Sequence, residues 1–157
     1  MQKVVYPGTF DPFTNGHLEL VERAAKLFDE VVILISFNIT KNTWFTPEER
    51  LNQIKQVVAH LKNVKVDTYD GLVVKYCEEK GISTIVRGIR NYNDYEGEKS
   101  LFYYNQEIVK NIETVVLMPS QDNQFISSSA IKELVKFKSS ISKYVPKLIA
   151  DEINKKA

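Results

Sequence analysis

"KVVYPGTFDPFTNGHLELVERAAKLFDEVVILIS", residues 3–36, decides how the rest of the chain is read. It opens on a short apolar run and passes through a turn-rich junction. It then continues as a helix with Leu18, Val21, Ala25 and Phe28 on one face, and ends in a second apolar run. Both runs are rich in Val and Ile and nearly continuous, which suits strands covered on both faces, as in a parallel sheet. A β-α-β unit with parallel strands is predicted. The junction carries Pro7, Gly8, Thr9, two phenylalanines and then Gly16-His17, where a plain turn would suffice.

The same alternation continues to the end of the chain. "NVKVDTY", "STIVRG" and "ETVVLMP" are further short apolar runs bounded by turn or polar residues. "TPEERLNQIKQVVAHL" is a helix with Leu51, Ile54, Val58 and Leu61 on its stripe. Its start reads as a capping box, with Thr46 as N-cap, Pro47 as first helical residue and Glu49 as the reciprocal partner. "GLVVKYCEEKG", "YNDYEGEKSLFYYNQEIVK" and "SSSAIKELVKF" are helical, and Pro146 starts a last helix. The order β-α-β-α-β-α-β-α-β-α-α predicts an α/β fold: one doubly wound domain over residues 1–157 with a five-stranded parallel sheet and C-terminal helices from about 127. No internal repeat, low-complexity segment or Gly/Ser linker divides it.

With 157 residues, 43% hydrophobic and 26% charged, the composition is that of a soluble globular protein. Lys and Arg total 21 against 20 acidic residues, a net charge of +1, so nothing draws the whole molecule to nucleic acid or to a membrane. Any anion site must be local. The single cysteine, Cys77, excludes a disulfide framework and an all-cysteine zinc site, and its place on an apolar stripe predicts a buried thiol. "MQKVVYPG" does not read as a secretory signal, and "VVILI" is far too short to span a bilayer. A cytoplasmic protein is expected.

In open parallel sheets, ligands bind beyond the carboxyl ends of the strands, where strand order reverses. Five strand ends here carry small, basic or hydroxyl residues: the opening junction, Lys41, Gly71-Leu72, Arg87 to Arg90, and "PSQDNQFISSS". Gly8 and Gly16 allow close backbone approach, and the helix N-terminus behind them offers free N–H groups to an anion. His17, in that first turn, can donate a hydrogen bond to a phosphate oxygen; the other reading is a surface histidine beside an N-cap. Thr9 is placed to face a ligand, whereas Thr14 reads as a cap. Arg87 and Arg90 suit bidentate phosphate contacts, and with no acidic residue between them an anion would neutralise both. The alternative is two solvated guanidiniums. Ser127, Ser128 and Ser129 form a cradle for terminal phosphates or a redundant cap. Lys41 alone carries little weight. The only histidines, His17 and His60, have no i+4 histidine partner, so no metal cluster is expected. There is no P-loop, no G-x-G-x-x-G after a strand and no G-x-S-x-G elbow.

"YPGTFDPFTNGH", "TKNTWFTPEER", "VRGIRNYNDYEGE" and "FISSS", in this order, resemble the bacterial phosphopantetheine adenylyltransferase family. That family lies in the nucleotidylyltransferase superfamily, whose [HT]-x-G-H signature reads here Thr14-Asn15-Gly16-His17. The resemblance runs from about residue 3 to about 150. It implies a Rossmann-like nucleotidylyltransferase fold and transfer of the adenylyl group of ATP to 4′-phosphopantetheine, giving dephospho-coenzyme A and pyrophosphate in the penultimate step of coenzyme A synthesis. It also implies Mg²⁺, coenzyme A as a feedback ligand, a cytoplasmic location and a homohexamer. By the same resemblance, Thr9 and Phe10 contact both ligands, and His17 stabilises the transition state at the α-phosphate. Lys41 and Arg87 hold the phosphopantetheine phosphate, and Val73 lines its arm. ATP is met by Gly88, Ile89, Arg90, Glu98, Asn123, Gln124, Phe125, Ile126, Ser127, Ser128 and Ser129. Thr9, His17, Lys41 and Arg90 make up the catalytic set, with no metal-ligating side chain assigned.

Such a reaction needs no nucleophilic side chain, since the attacking group is already an anionic phosphate. Positioning and charge stabilisation of an in-line displacement are sufficient. Three positions depart from the family pattern: Gly97, where a larger residue is usual, and Ser100 and Phe102 in place of a glutamine and an alanine. Competing readings are a nucleotidylyltransferase acting on nicotinamide mononucleotide or using CTP, and a non-catalytic nucleotide or coenzyme A sensor. Thr14 at the first signature position and "ISSSAIK" disfavour the first. The presence of His17 and both arginines disfavours the second.

Overall fold

The computed structural model describes residues 1–37 and 42–156. Its elements follow the predicted alternation: β1 (Lys3–Gly8), α1 (Asn15–Leu27), β2 (Glu30–Ser36), α2 (Pro47–Val57), β3 (Val64–Tyr69), α3 (Val73–Lys80), β4 (Thr84–Gly88), α4 (Tyr92–Ile108), β5 (Glu113–Leu117), α5 (Ser128–Lys136) and α6 (Lys147–Lys156). The five strands are all parallel, in the order β3-β2-β1-β4-β5. The order runs outward from β1 in one direction and then jumps across to β4. The switch point therefore lies between β1 and β4, whose registers meet at Val5 and Ile85.

Side chains alternate across the sheet. Val4, Tyr6, Val31, Ile33, Ile35 and Val86 face one layer, where they pack with Leu20, Val21 and Ala24 of α1, Ile54 of α2, Ile131 of α5 and Ile149 of α6. Val5, Val32, Leu34 and Ile85 face the other, against Val74, Tyr76 and Cys77 of α3. Helices thus cover both faces, which is why the central strands read as unbroken apolar runs. The edge strands are only partly covered, and β3 alternates as "VKVDTY". Cys77 is buried as expected, and burial pushes its thiol up to about 11, leaving it protonated and inert.

The buried face of α1 differs by a small rotation from the predicted one. Its centre is Leu20, Val21 and Ala24, while Leu18, Ala25 and Phe28 pack at the margins. The α2 capping box forms as read: Glu49 N–H donates to Thr46 Oγ1 at 3.1 Å, and Thr46 N–H donates to Glu49 Oε2 at 2.8 Å. Among the described residues, no helix is long and apolar enough to cross a membrane.

Candidate active site

A cavity of about 520 Å³ opens at the carboxyl ends of β1 and β4, the switch point of the sheet. That volume falls within the range of small-molecule and cofactor sites. Its walls come from the β1–α1 junction, the end of β4, the first turns of α4 and the start of α5.

The junction is tightly built. Phe10 adopts a positive φ of 54°, so its ring folds back into the core against Tyr6, Phe13 and His17. The approach needs glycine at position 8, because a Cβ there would lie 2.8 Å from the Phe10 ring. Arg50 of α2, 2% exposed, donates to Thr9 O at 2.6 Å and to Phe45 O at 3.2 Å. Asp11, equally buried, accepts Trp44 N–H at 2.8 Å, Phe45 N–H at 3.0 Å and Lys132 Nζ at 2.8 Å. Arg50 and Asp11 therefore clamp the junction to the segment leading into α2.

Thr14 caps α1, accepting His17 N–H at 3.3 Å on its hydroxyl. In return, Thr14 N–H donates to His17 Nδ1 at 3.0 Å. An accepting Nδ1 fixes the tautomer: the ring proton sits on Nε2. Burial, and then the Arg90 and Arg87 guanidiniums, drive the His17 pKa down to about 3. This histidine is a neutral donor on the cavity wall, stacked edge-on against Phe10 with ring centroids 5.0 Å apart.

Arg87 and Arg90 both reach the cavity, where an anion was expected to neutralise them, and each already has a carboxylate partner within the chain. Glu98 Oε1 accepts Arg87 Nη2 at 2.7 Å and Nε at 2.9 Å. Asp94 Oδ2 accepts the Arg90 N–H at 3.0 Å and its Nε at 3.2 Å. Both carboxylates come from α4, out of sight of a reading confined to residues 87–90. The remaining bonds tie loops together: Arg87 Nη1 donates to Pro7 O at 3.0 Å, and Arg90 Nη1 to Ile126 O at 3.2 Å.

At α5, Ser127 is the N-cap, its Oγ accepting Ala130 N–H at 3.1 Å, and Ser128 Oγ donates to Pro12 O at 2.9 Å. Two of the three serines thus have structural partners, and Ser129 lines the cavity with them. Of the other expected residues, Thr9, Phe10, Gly88, Glu98, Asn123 and Ile126 also line it. Val73, Ile89, Gln124 and Phe125 lie outside the lining, Val73 packing beside Val74 at the start of α3. Lys41 lies outside the described residues.

Sequence reasoning did not single out Asp11, Arg50, Glu19 or Lys132. Glu19 gathers Ser120 N–H and Oγ at 2.7 Å each, together with the side chains of Asn123 and Arg23, fixing the segment between β5 and α5. A charged residue buried in a helix stripe, as Arg50 is beside Leu51 and Ile54, was the available signal for one of these.

Residues 5–134 match the cytidylyltransferase-like family. A phosphopantetheine adenylyltransferase of Thermodesulfovibrio yellowstonii is 45% identical over 97% of this chain and 95% of its own length. Those of Hamiltonella defensa and Alkaliphilus metalliredigens are 41% and 37% identical over 96% and 100% of this chain, and 97% and 100% of theirs. The chain belongs to the phosphopantetheine adenylyltransferase family. A crystal structure from Vibrio parahaemolyticus, assigned by name to the nicotinate-nucleotide adenylyltransferases, superposes with a TM-score of 0.71 over 99% of this chain and 94% of that one. At 20% identity that likeness speaks for the fold. The family's members are enzymes of the nucleotidyltransferase class, and the cavity lies at the switch point, where open α/β sheets bind their ligands.

Proposed function

We propose that this protein transfers the adenylyl group of ATP to 4′-phosphopantetheine, forming dephospho-coenzyme A and releasing pyrophosphate. The observation that carries the reading is a neutral histidine, with its proton on Nε2, lining the same cavity as two guanidiniums and the N-terminus of α5. An oxygen of the acceptor phosphate attacks the α-phosphorus as the bond to the β-phosphate breaks, and pyrophosphate departs with the bonding pair. His17 Nε2–H donates to the charge that builds on the α-phosphate oxygens, a role for a preorganised donor. Thr9 and Arg87 hold the acceptor phosphate, and Lys41 is assigned beside them from the family resemblance. Arg90, Gly88, Asn123 and the Ser127–Ser129 turn hold the nucleotide, with Phe10 beneath it; Ile89, Glu98, Gln124, Phe125 and Ile126 complete this assignment, and Val73 is assigned to the pantetheine arm.

Among the described residues, no three His, Cys, Asp or Glu side chains are placed to hold a metal ion. The described carboxylates of the cavity, Asp11, Asp94 and Glu98, are already occupied by protein cations. In this reading Mg²⁺ arrives on the ATP phosphates, its usual partners in such sites.

The same reading takes residues 1–157 as one domain, places the protein in the cytoplasm and gives coenzyme A, which unites both substrates' moieties, as a feedback ligand of this cavity. A homohexamer is part of it, supported by the aromatic side chains that α4 exposes, Tyr92, Tyr95, Tyr103 and Tyr104. The test is pyrophosphate release from Mg²⁺-ATP with 4′-phosphopantetheine, with nicotinamide mononucleotide, and with neither. Release with 4′-phosphopantetheine alone is expected. Release with nicotinamide mononucleotide alone would contradict the substrate assignment, and no release with any acceptor would leave a binding protein.

A further inference from the structure

We propose that Lys132 is a further phosphate-contacting residue of this site, an ammonium stored on Asp11 and delivered to the ATP triphosphate; this rests on the adenylyl-transfer reading above. Lys132 lies one turn past Ser128 on α5 and lines the cavity with Thr9, His17 and Ser127. Its Nζ is 2.8 Å from Asp11 Oδ2 and 5.4 Å from the centre of the Trp44 ring. The two partners differ in burial: the lysine side chain is 32% exposed, the aspartate 1%. The carboxylate is fixed, and the ammonium sits at the end of a flexible four-carbon stem.

Charge pairing among the described residues favours this lysine. The described ionised side chains lining the cavity are Asp11, Asp94 and Glu98 against Arg87, Arg90 and Lys132, and they cancel. His17 is neutral, and the Ser128 hydroxyl proton is already donated to Pro12 O. Because the described lining charges are already paired, a cation that meets a triphosphate here must leave its carboxylate cheaply. Glu98 has Arg87 as its partner, so withdrawing that guanidinium strips the carboxylate. Asp11 is different. When Lys132 turns away, Trp44 N–H and Phe45 N–H still donate to it, so a buried carboxylate is not left bare. Asp11 is then a positioning residue, aiming the ammonium from the junction that also carries Thr9.

The test is calorimetric titration of the full chain with ATP, AMP and 4′-phosphopantetheine, for wild type, Lys132→Met, Lys132→Gln and Lys132→Arg, with thermal melts on the same samples. Losing one charged hydrogen bond to the triphosphate weakens ATP binding by about ten- to a hundredfold. AMP and 4′-phosphopantetheine affinities stay within about twofold on this account, and arginine restores most of the ATP affinity. Unchanged ATP affinity in both neutral variants would overturn the proposal. So would an equal loss for ATP and AMP, or a loss confined to 4′-phosphopantetheine. Wild-type pyrophosphate release, followed in parallel, reports separately on the activity: it can fail for 4′-phosphopantetheine while the ATP-against-AMP comparison still decides the role of Lys132.

Discussion

His17 owes its role to Thr14, whose N–H occupies Nδ1 and leaves the proton on Nε2, and to surroundings that keep the ring neutral. With its pKa down at about 3, His17 does not titrate near its ordinary 6.5, so the pH profile of kcat in the wild type should show no inflection from it between pH 5 and 8. A profile that falls with a midpoint near 6.5, and loses that midpoint in the His17→Ala variant, would contradict the neutral-donor role. The same shift has a consequence for stability. The unfolded chain takes up a proton near 6.5 that the folded chain refuses until about 3, so stability is fully present above 6.5 and is lost as pH falls through that window. Melting temperatures should drop between pH 6 and pH 4 more steeply in the wild type than in His17→Ala. At this scale the sequence showed the donors but not their partners. Arg87 and Arg90 looked unneutralised because Glu98 and Asp94 lie on the next helix and reach back only in the fold.

Among the elements, α4 and the caps give the sharpest expectations. Gly97 lies within α4, and a Cβ built on it meets nothing within 4 Å. Gly97→Ala should therefore stabilise the protein by about 1 kcal/mol through helix propensity, read from chemical denaturation. A loss of stability would mean that the open space is filled by something beyond the single chain. Ser127→Ala removes the α5 cap and should cost about 1 kcal/mol, together with weaker ATP binding, because that helix turn faces the cavity. Elements were the most legible feature of the chain. Each strand and helix was announced by its own periodicity and punctuation, and Thr46-Pro47-Glu49 gave the start of α2 outright. Which stripe of α1 is buried was less legible, since Leu18, Leu20, Val21, Ala24 and Ala25 span more than one face, and the sheet makes the choice.

For the whole molecule, strand order is what assembles the site. Crossing from β2 and β3 back over β1 to β4 brings residues from positions 9, 17, 87 and 127 around one cavity. That convergence could be anticipated from the rule for open parallel sheets, whereas the clamp made by Arg50 and Asp11 could not, because its partners are backbone groups distant in sequence. The aromatic face of α4 belongs to this scale too. Sedimentation at micromolar concentration should show a species six times the mass of the chain, and a monomer would leave those tyrosines without the proposed cover.

The most direct measurement is the turnover of His17→Ala beside its ATP affinity. A preorganised donor to the transition state contributes roughly 3 kcal/mol, so pyrophosphate release with 4′-phosphopantetheine should fall about a hundredfold or more while the ATP dissociation constant changes only a few-fold. Turnover close to the wild type, or a fall in turnover matched by an equal loss of ATP binding, would contradict the account of His17 as the group that stabilises the reacting phosphate.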